Sequence, residues 1–85
     1  MNKEMFKRAC KDRGFKTTYH KDGRITITKT KHYRRFNTVV NQVAKEVRYL
    51  QQLLKDDGYA IVKGERKVNE NMYTAKVTFS NGREE

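Results

Sequence analysis

The longest periodic pattern of apolar residues in the chain predicts an amphipathic helix over residues 37–56. Apolar side chains recur there at alternating intervals of four and three residues, which places them on one face of a helix. Asn37 or Thr38 is the expected N-cap, and Gly58 is expected to end the helix. The apolar stripe consists of Phe36, Val40, Val43, Val47, Leu50 and Leu54, widened by Val39 and Leu53.

A shorter pattern predicts a helix and a β-hairpin at the start of the chain. Asn2 is a candidate N-cap, and Gly14 is a candidate left-handed residue after the helix. From Phe15 the apolar period changes to two. A three-residue loop at residues 21–23 places the apolar residues of both strands on one face, whereas a two-residue loop would divide them. The other face then carries Lys16, Thr18, His20, Arg24, Thr26 and Thr28.

Alternation returns after residue 58 and predicts a second hairpin, with strands from Tyr59 to about Val68 and from Met72 to Phe79. The expected order is helix-hairpin-helix-hairpin (αββαββ). A four-stranded antiparallel sheet covered on one face by two helices would bury the apolar side of every element, so the predicted fold class is α+β. Residues 1–82 are expected to form this single domain, and residues 83–85 a frayed tail.

Several classes of protein do not fit this chain of 85 residues. It has no apolar run of about 20 residues and no secretion leader, so neither a membrane protein nor a secreted one is expected. Cys10 is the single cysteine and lies on the apolar side of the first helix, which predicts a core residue in a protein of the reducing cytoplasm. With only His20 and His32 and no nucleophile or phosphate-loop motif, we expect no metal, no cofactor and no enzymatic activity.

One segment resembles a known family. Residues 1–28 contain a short helix, then Gly14 and Phe15, then a hairpin with His20 near its turn. In this they resemble the start of the HicA-type toxins, whose fold is related to double-stranded RNA-binding domains. The resemblance implies that His20 is the nearest match to the strand histidine with which that family cleaves RNA. The family's third strand follows its hairpin directly, whereas a long helix is predicted here.

Charge gives the strongest functional indication. The net charge is +10, and residues 1–35 account for +9 of it, with twelve basic and three acidic side chains. Such a concentrated positive field attracts polyanions, and nucleic acid first among them. Basic residues are densest between residues 29 and 35, where Tyr33 offers a ring for base stacking or a hydroxyl for phosphate. The candidate nucleic-acid-binding residues are Lys16, Arg24, Lys29, Lys31, His32, Tyr33, Arg34 and Arg35.

Three functions are therefore open, in order of preference. The first is a small, non-enzymatic protein that grips the phosphate backbone of DNA or RNA without reading its sequence. The second is an interaction protein, of the kind encoded by phages and mobile elements, that inhibits an acidic or nucleic-acid-handling host protein. The third is a toxin-like ribonuclease. A homodimer through helix 37–56, with Tyr49 and Leu53 at the contact, is also left open.

Overall fold

A computed structural model describes residues 2–82, so the predicted tail at 83–85 lies outside the described residues. It confirms the α+β class and the four-stranded antiparallel sheet. The strand order is β1-β2-β4-β3, which places β2 and β4 in the centre and β1 and β3 at the edges. The elements are α1 (Lys3–Asp12), β1 (Lys16–Tyr19), β2 (Ile25–His32), α2 (Phe36–Lys55), β3 (Ala60–Asn69) and β4 (Met72–Ser80).

The first helix and the turn between β1 and β2 follow from local sequence. The side chain of Asn2 accepts a hydrogen bond of 2.7 Å from the backbone N–H of Glu4, which satisfies one of the free amides at the start of α1. Tyr19 lies opposite Ile25, the register that a three-residue loop requires. Gly23 has φ +92° in that loop, a conformation that glycine adopts without strain.

The start of α2 differs from the expected one. The helix begins at Phe36, and Arg35 is its N-cap without a side-chain hydrogen bond, so the prediction of Asn37 or Thr38 as the cap is wrong. The reason is tertiary packing. The ring of Phe36 lies edge-on against Tyr73, with 5.8 Å between the ring centroids, and this contact draws residue 36 into the first turn.

The buried core contains side chains from both helices and from alternate residues of the strands. Ile25 lies opposite Phe79, and Ile27 lies opposite Val77, so these side chains share a face of the sheet. Phe79 also meets Phe6 of α1 edge-on, with 6.4 Å between ring centroids. The buried cluster comprises Phe6, Cys10, Phe15, Ile25, Ile27, Val39, Val43, Leu50, Leu54, Tyr73, Ala75, Val77 and Phe79.

Cys10 is a core residue, as predicted from its position on α1. Burial raises the pKa of its thiol above the ordinary value, so the reactive thiolate is scarce at neutral pH. We expect a thiol reagent such as DTNB to modify the native protein at least about 100-fold more slowly than the protein unfolded in guanidinium, because reaction then requires opening of the core. Equal rates in the two conditions would show that Cys10 is accessible in the native state.

The edge strand β3 is unlike the other three. All ten of its residues are exposed, including Ile61, Val62 and Val68 at 41%, 54% and 48% of their surface. The ladder between β3 and β4 has an irregularity between Ile61 and Lys63. β3 therefore contributes no buried side chain to the core.

Candidate nucleic-acid interface

The candidate residues on β2 divide between the two faces of the sheet. Lys29 lies opposite Ala75, and Lys31 lies opposite Tyr73; both of these β4 residues belong to the core. Since neighbouring residues of a strand point to opposite sides, His32 lies on the other face. The Lys31 ammonium donates a hydrogen bond of 3.1 Å to the side-chain oxygen of Gln42 on α2. The basic segment is therefore continuous in sequence but not on the surface.

Lys29 has a structural role. Its Nζ donates hydrogen bonds to Oε1 of Glu46, at 2.7 Å, and to the backbone oxygen of Arg13, at 2.6 Å. The side chains of Lys29 and Glu46 are only 11% and 19% exposed. This ammonium ties β2 to α2 and to the end of α1, so it is not available to a phosphate.

Tyr33 is also held within the fold. Its hydroxyl donates to the backbone oxygen of Glu70, and its own N–H donates to the oxygen of Asn71 at 2.9 Å. The ring lies edge-on to Phe36, with 5.3 Å between centroids. These contacts fasten the end of β2 to the turn between β3 and β4, and they leave the ring poorly placed for base stacking.

The arginines of the candidate set lie at opposite ends of the sheet. Arg34 and Arg35 follow β2, are exposed, and have no side-chain partner within residues 2–82. Arg24 precedes β2, and its side chain forms an exposed ion pair of 3.6 Å with Asp22. The eight residues of β2 extend for roughly 26 Å at ~3.3 Å each, so Arg24 and Arg34 cannot contact one phosphate.

The register defines a second surface, which we call the polar face. Thr28 of β2 lies between Lys16 of β1 and Lys76 of β4, and Lys76 in turn lies opposite Glu65 of β3. Cross-strand neighbours such as these form rows that run across the four strands of the sheet. The polar face consists of Lys16, Thr18, Thr26, Thr28, Thr30, His32, Lys63, Glu65, Lys67, Asn69, Met72, Thr74, Lys76 and Thr78.

Four lysines and one carboxylate make the polar face positive. Nζ of Lys63 lies 3.7 Å from Oε1 of Glu65, and the two form a weak, exposed ion pair. In the part of the chain that the structure describes, no salt bridge or hydrogen bond joins the ammonium groups of Lys16, Lys67 and Lys76 to another group, although Glu65 lies on the strand position opposite Lys76. Sequence reasoning missed the three lysines of β3 and β4 because residues 36–85 are nearly neutral overall. The signal that could have found them is alternation on both strands, with Lys63, Glu65 and Lys67 on β3 and Thr74, Lys76 and Thr78 on β4.

Hydroxyl groups fill the space between these cations. Thr26 and Thr78 are hydrogen-bonded at 3.1 Å, and Thr30 and Thr74 at 3.0 Å, each pair joining β2 to β4. Nε2 of His20 lies 2.7 Å from the Thr26 hydroxyl at the hairpin end of this face. Hydroxyl and ammonium groups together are the donors that proteins use to hold phosphate oxygens.

Comparison of the chain with protein families, with curated proteins and with solved structures gives no match. The resemblance of residues 1–28 to the HicA-type toxins therefore stays a prediction. Among residues 2–82 no three side chains of His, Cys, Asp or Glu come together as metal ligands would. Across the same residues, neither helix combines the length and the apolar character needed to cross a membrane.

Proposed function

We propose that the protein is a small, non-enzymatic cytoplasmic protein that binds the phosphate backbone of nucleic acid through its polar face. The observation that carries this proposal is the set of lysines Lys16, Lys63, Lys67 and Lys76 on one side of the sheet, with Glu65 as the single carboxylate among them. Exposed cations on a rigid framework supply most of the affinity for a polyanion. Arg34 and Arg35 add exposed positive charge beyond the end of β2, whereas Lys29 is not part of the polar face.

The packing of the helices supports an open polar face. Both helices contribute their buried side chains to the cluster on the opposite side of the sheet. The αββαββ arrangement with both helices over that side is part of this proposal. It leaves the lysine side chains of the polar face exposed to a ligand.

The chemistry of this face favours contact with the backbone over contact with bases. Its side chains are mostly ammonium and hydroxyl groups, and they include no phenylalanine, tyrosine or tryptophan ring on which a base would stack. The four lysines lie in the rows of Thr26, Thr28 and Thr30, which span roughly 13 Å at ~3.3 Å per residue, or about four base-pair steps of ~3.4 Å. We therefore propose a short, sequence-independent site on DNA or RNA.

Binding to an oligonucleotide of about 20 nucleotides is expected to weaken steeply with salt. If about four to six cations meet phosphates, log K falls against log salt with a slope of about −3 to −5. The double variant Lys16→Gln/Lys76→Gln should lower affinity and reduce the slope by about 1.5, because two adjacent phosphate contacts are lost. Fluorescence anisotropy at several salt concentrations measures both quantities for single and double strands.

The matched control removes the same amount of positive charge from the other side of the molecule. Lys7 and Lys11 are exposed on α1. Lys7→Gln/Lys11→Gln should leave the slope nearly unchanged. Equal losses in both double variants would mean that net charge alone attracts the ligand, and no binding at low salt would rule the proposal out.

An interaction protein is the second candidate. It is favoured by an apolar groove of about 440 Å³ between α2 and the β3–β4 side of the sheet. A pull-down from cell lysate with and without nuclease treatment separates the two functions. Partners that disappear with nuclease support nucleic-acid binding, whereas one stoichiometric protein that survives it supports the interaction protein. The groove is lined by Val40, Val43, Ala44, Val47, Tyr73, Ala75 and Val77, with Arg48 on α2 and Gly64, Glu65 and Arg66 on β3.

A further inference from the structure

The free edge of β3 is long and exposed. β3 has ten residues, whereas β1, at the other edge of the sheet, has four. Such an edge presents unpaired backbone donors and acceptors that can pair with another strand. We propose that β3 pairs antiparallel with β3 of a second copy of this chain, so that two four-stranded sheets join into one of eight strands.

The faces of the sheet restrict how the two copies can align. In a symmetric antiparallel pair the twofold axis is perpendicular to the sheet, so each polar-face side chain must lie opposite a polar-face side chain. Beyond the irregularity near residue 62, Lys63, Glu65 and Lys67 lie on the polar face, and Gly64 and Arg66 on the core face. The axis must therefore place one residue of β3 opposite the same residue of the other copy. It cannot place two neighbouring residues of the strand opposite each other.

Charge then selects among these axes. An axis at Lys63, Glu65 or Arg66 would place that charged residue opposite its own copy, which is destabilising. An axis at Gly64 places Lys63 of each copy opposite Glu65 of the other, so that two attractive pairs form. The axis at Gly64 is the only one of these four that opposes no like charges.

The same axis lies in the regular part of the strand. Centring on Gly64 pairs residues 62–66 of one copy with residues 66–62 of the other, and the irregularity near residue 62, which puts Ile61 on the core face, ends the pairing there. A Cβ added at Gly64 would meet no atom within 4 Å, so the core face is open beside the axis. Lysine and glutamate on an edge strand normally discourage pairing between copies. In this register they attract each other across the axis and specify the partner.

The test is a charge exchange measured by sedimentation equilibrium on protein freed of nucleic acid. Lys63→Glu should weaken dimerisation by about tenfold or more, because a carboxylate would then face Glu65 of the other copy at both symmetric positions. Glu65→Lys should weaken it similarly. Lys63→Glu/Glu65→Lys should restore the dissociation constant to within a few-fold of the original, since opposite charges again face each other.

The control is Lys67→Glu, which makes the same change in net charge on the same face. Residue 67 lies outside the paired residues 62–66 in this register, so the variant should leave the dissociation constant nearly unchanged. A protein that stays monomeric at millimolar concentration would overturn the proposal. A dimer that neither single charge reversal weakens would also overturn it. Tyr49 and Leu53 on α2 would then be the next candidate contact. Because no nucleic acid is present, the result is independent of the function proposed above.

Discussion

Replacement of Lys29 with alanine is expected to destabilise the protein by about 2–4 kcal/mol, although lysine-to-alanine changes on a surface usually have little effect. The ammonium of Lys29 holds Glu46 at 2.7 Å and the backbone oxygen of Arg13 at 2.6 Å, in a site where both charged side chains are mostly buried. Without the lysine, the Glu46 carboxylate loses its partner in that site, and leaving a buried charge unpaired costs more than the ion pair contributes. Urea unfolding followed by circular dichroism measures the loss.

Two further variants separate charge from packing. Lys29→Met/Glu46→Gln removes both charges and should recover a large part of the stability that Lys29→Met alone loses. Lys16→Ala removes an exposed lysine from the neighbouring strand and should change the free energy of unfolding by under about 0.5 kcal/mol. A loss in Lys29→Ala no greater than that in Lys16→Ala would show that the buried ion pair does not hold β2 to α2.

Replacement of Phe79 with alanine is expected to cost about 3–5 kcal/mol, the largest single loss that we predict. Phe79 is fully buried at the centre of the sheet and meets Phe6 edge-on. Its removal forfeits the burial of a ring and leaves a cavity between α1 and β4. In a domain of this size such a loss lowers the melting temperature by well over about 10 °C, if the protein folds at all.

The matched comparison is Ile61, which lies directly opposite Phe79 on β3 but is 41% exposed. Ile61→Ala should cost less than about 1.5 kcal/mol, because little apolar surface is withdrawn from water there. Chemical unfolding of both variants at low protein concentration tests the difference. Similar losses at the two positions would mean that β3 is packed more tightly than the structure shows.

The parts of the fold that sequence could predict are those decided by local chemistry. Asn2 caps α1 because its side chain reaches the backbone two residues later. The register of Tyr19 with Ile25 follows from the apolar pattern, because a slip of one residue would move one strand's apolar residues to the wrong face. The cap of α2 could not be predicted in this way. It depends on a contact between Phe36 and Tyr73, which are 37 residues apart in sequence.

The candidate site was less predictable than the fold, for two reasons. Closeness along a strand does not mean closeness on a surface, so alternation separates Lys29 and Lys31 from His32. Closeness on the surface can also join residues that are far apart in sequence. Lys16 and Lys76 lie on either side of Thr28 only because β2 pairs with both β1 and β4. Net charge by segment conceals such an arrangement, since Lys76 belongs to the nearly neutral part of the chain.

Because β3 is exposed, the free energy needed to detach this strand differs from the free energy of global unfolding. Since none of its ten residues is buried, detaching β3 uncovers little apolar surface and costs mainly its hydrogen bonds to β4. This partial opening is therefore easier than global unfolding, and it leaves α1, α2 and the rest of the core in place. β4 then becomes an edge strand that carries Tyr73, Val77 and Phe79, and such an edge promotes aggregation. Heating will cause the protein to aggregate through this opened form before its core unfolds.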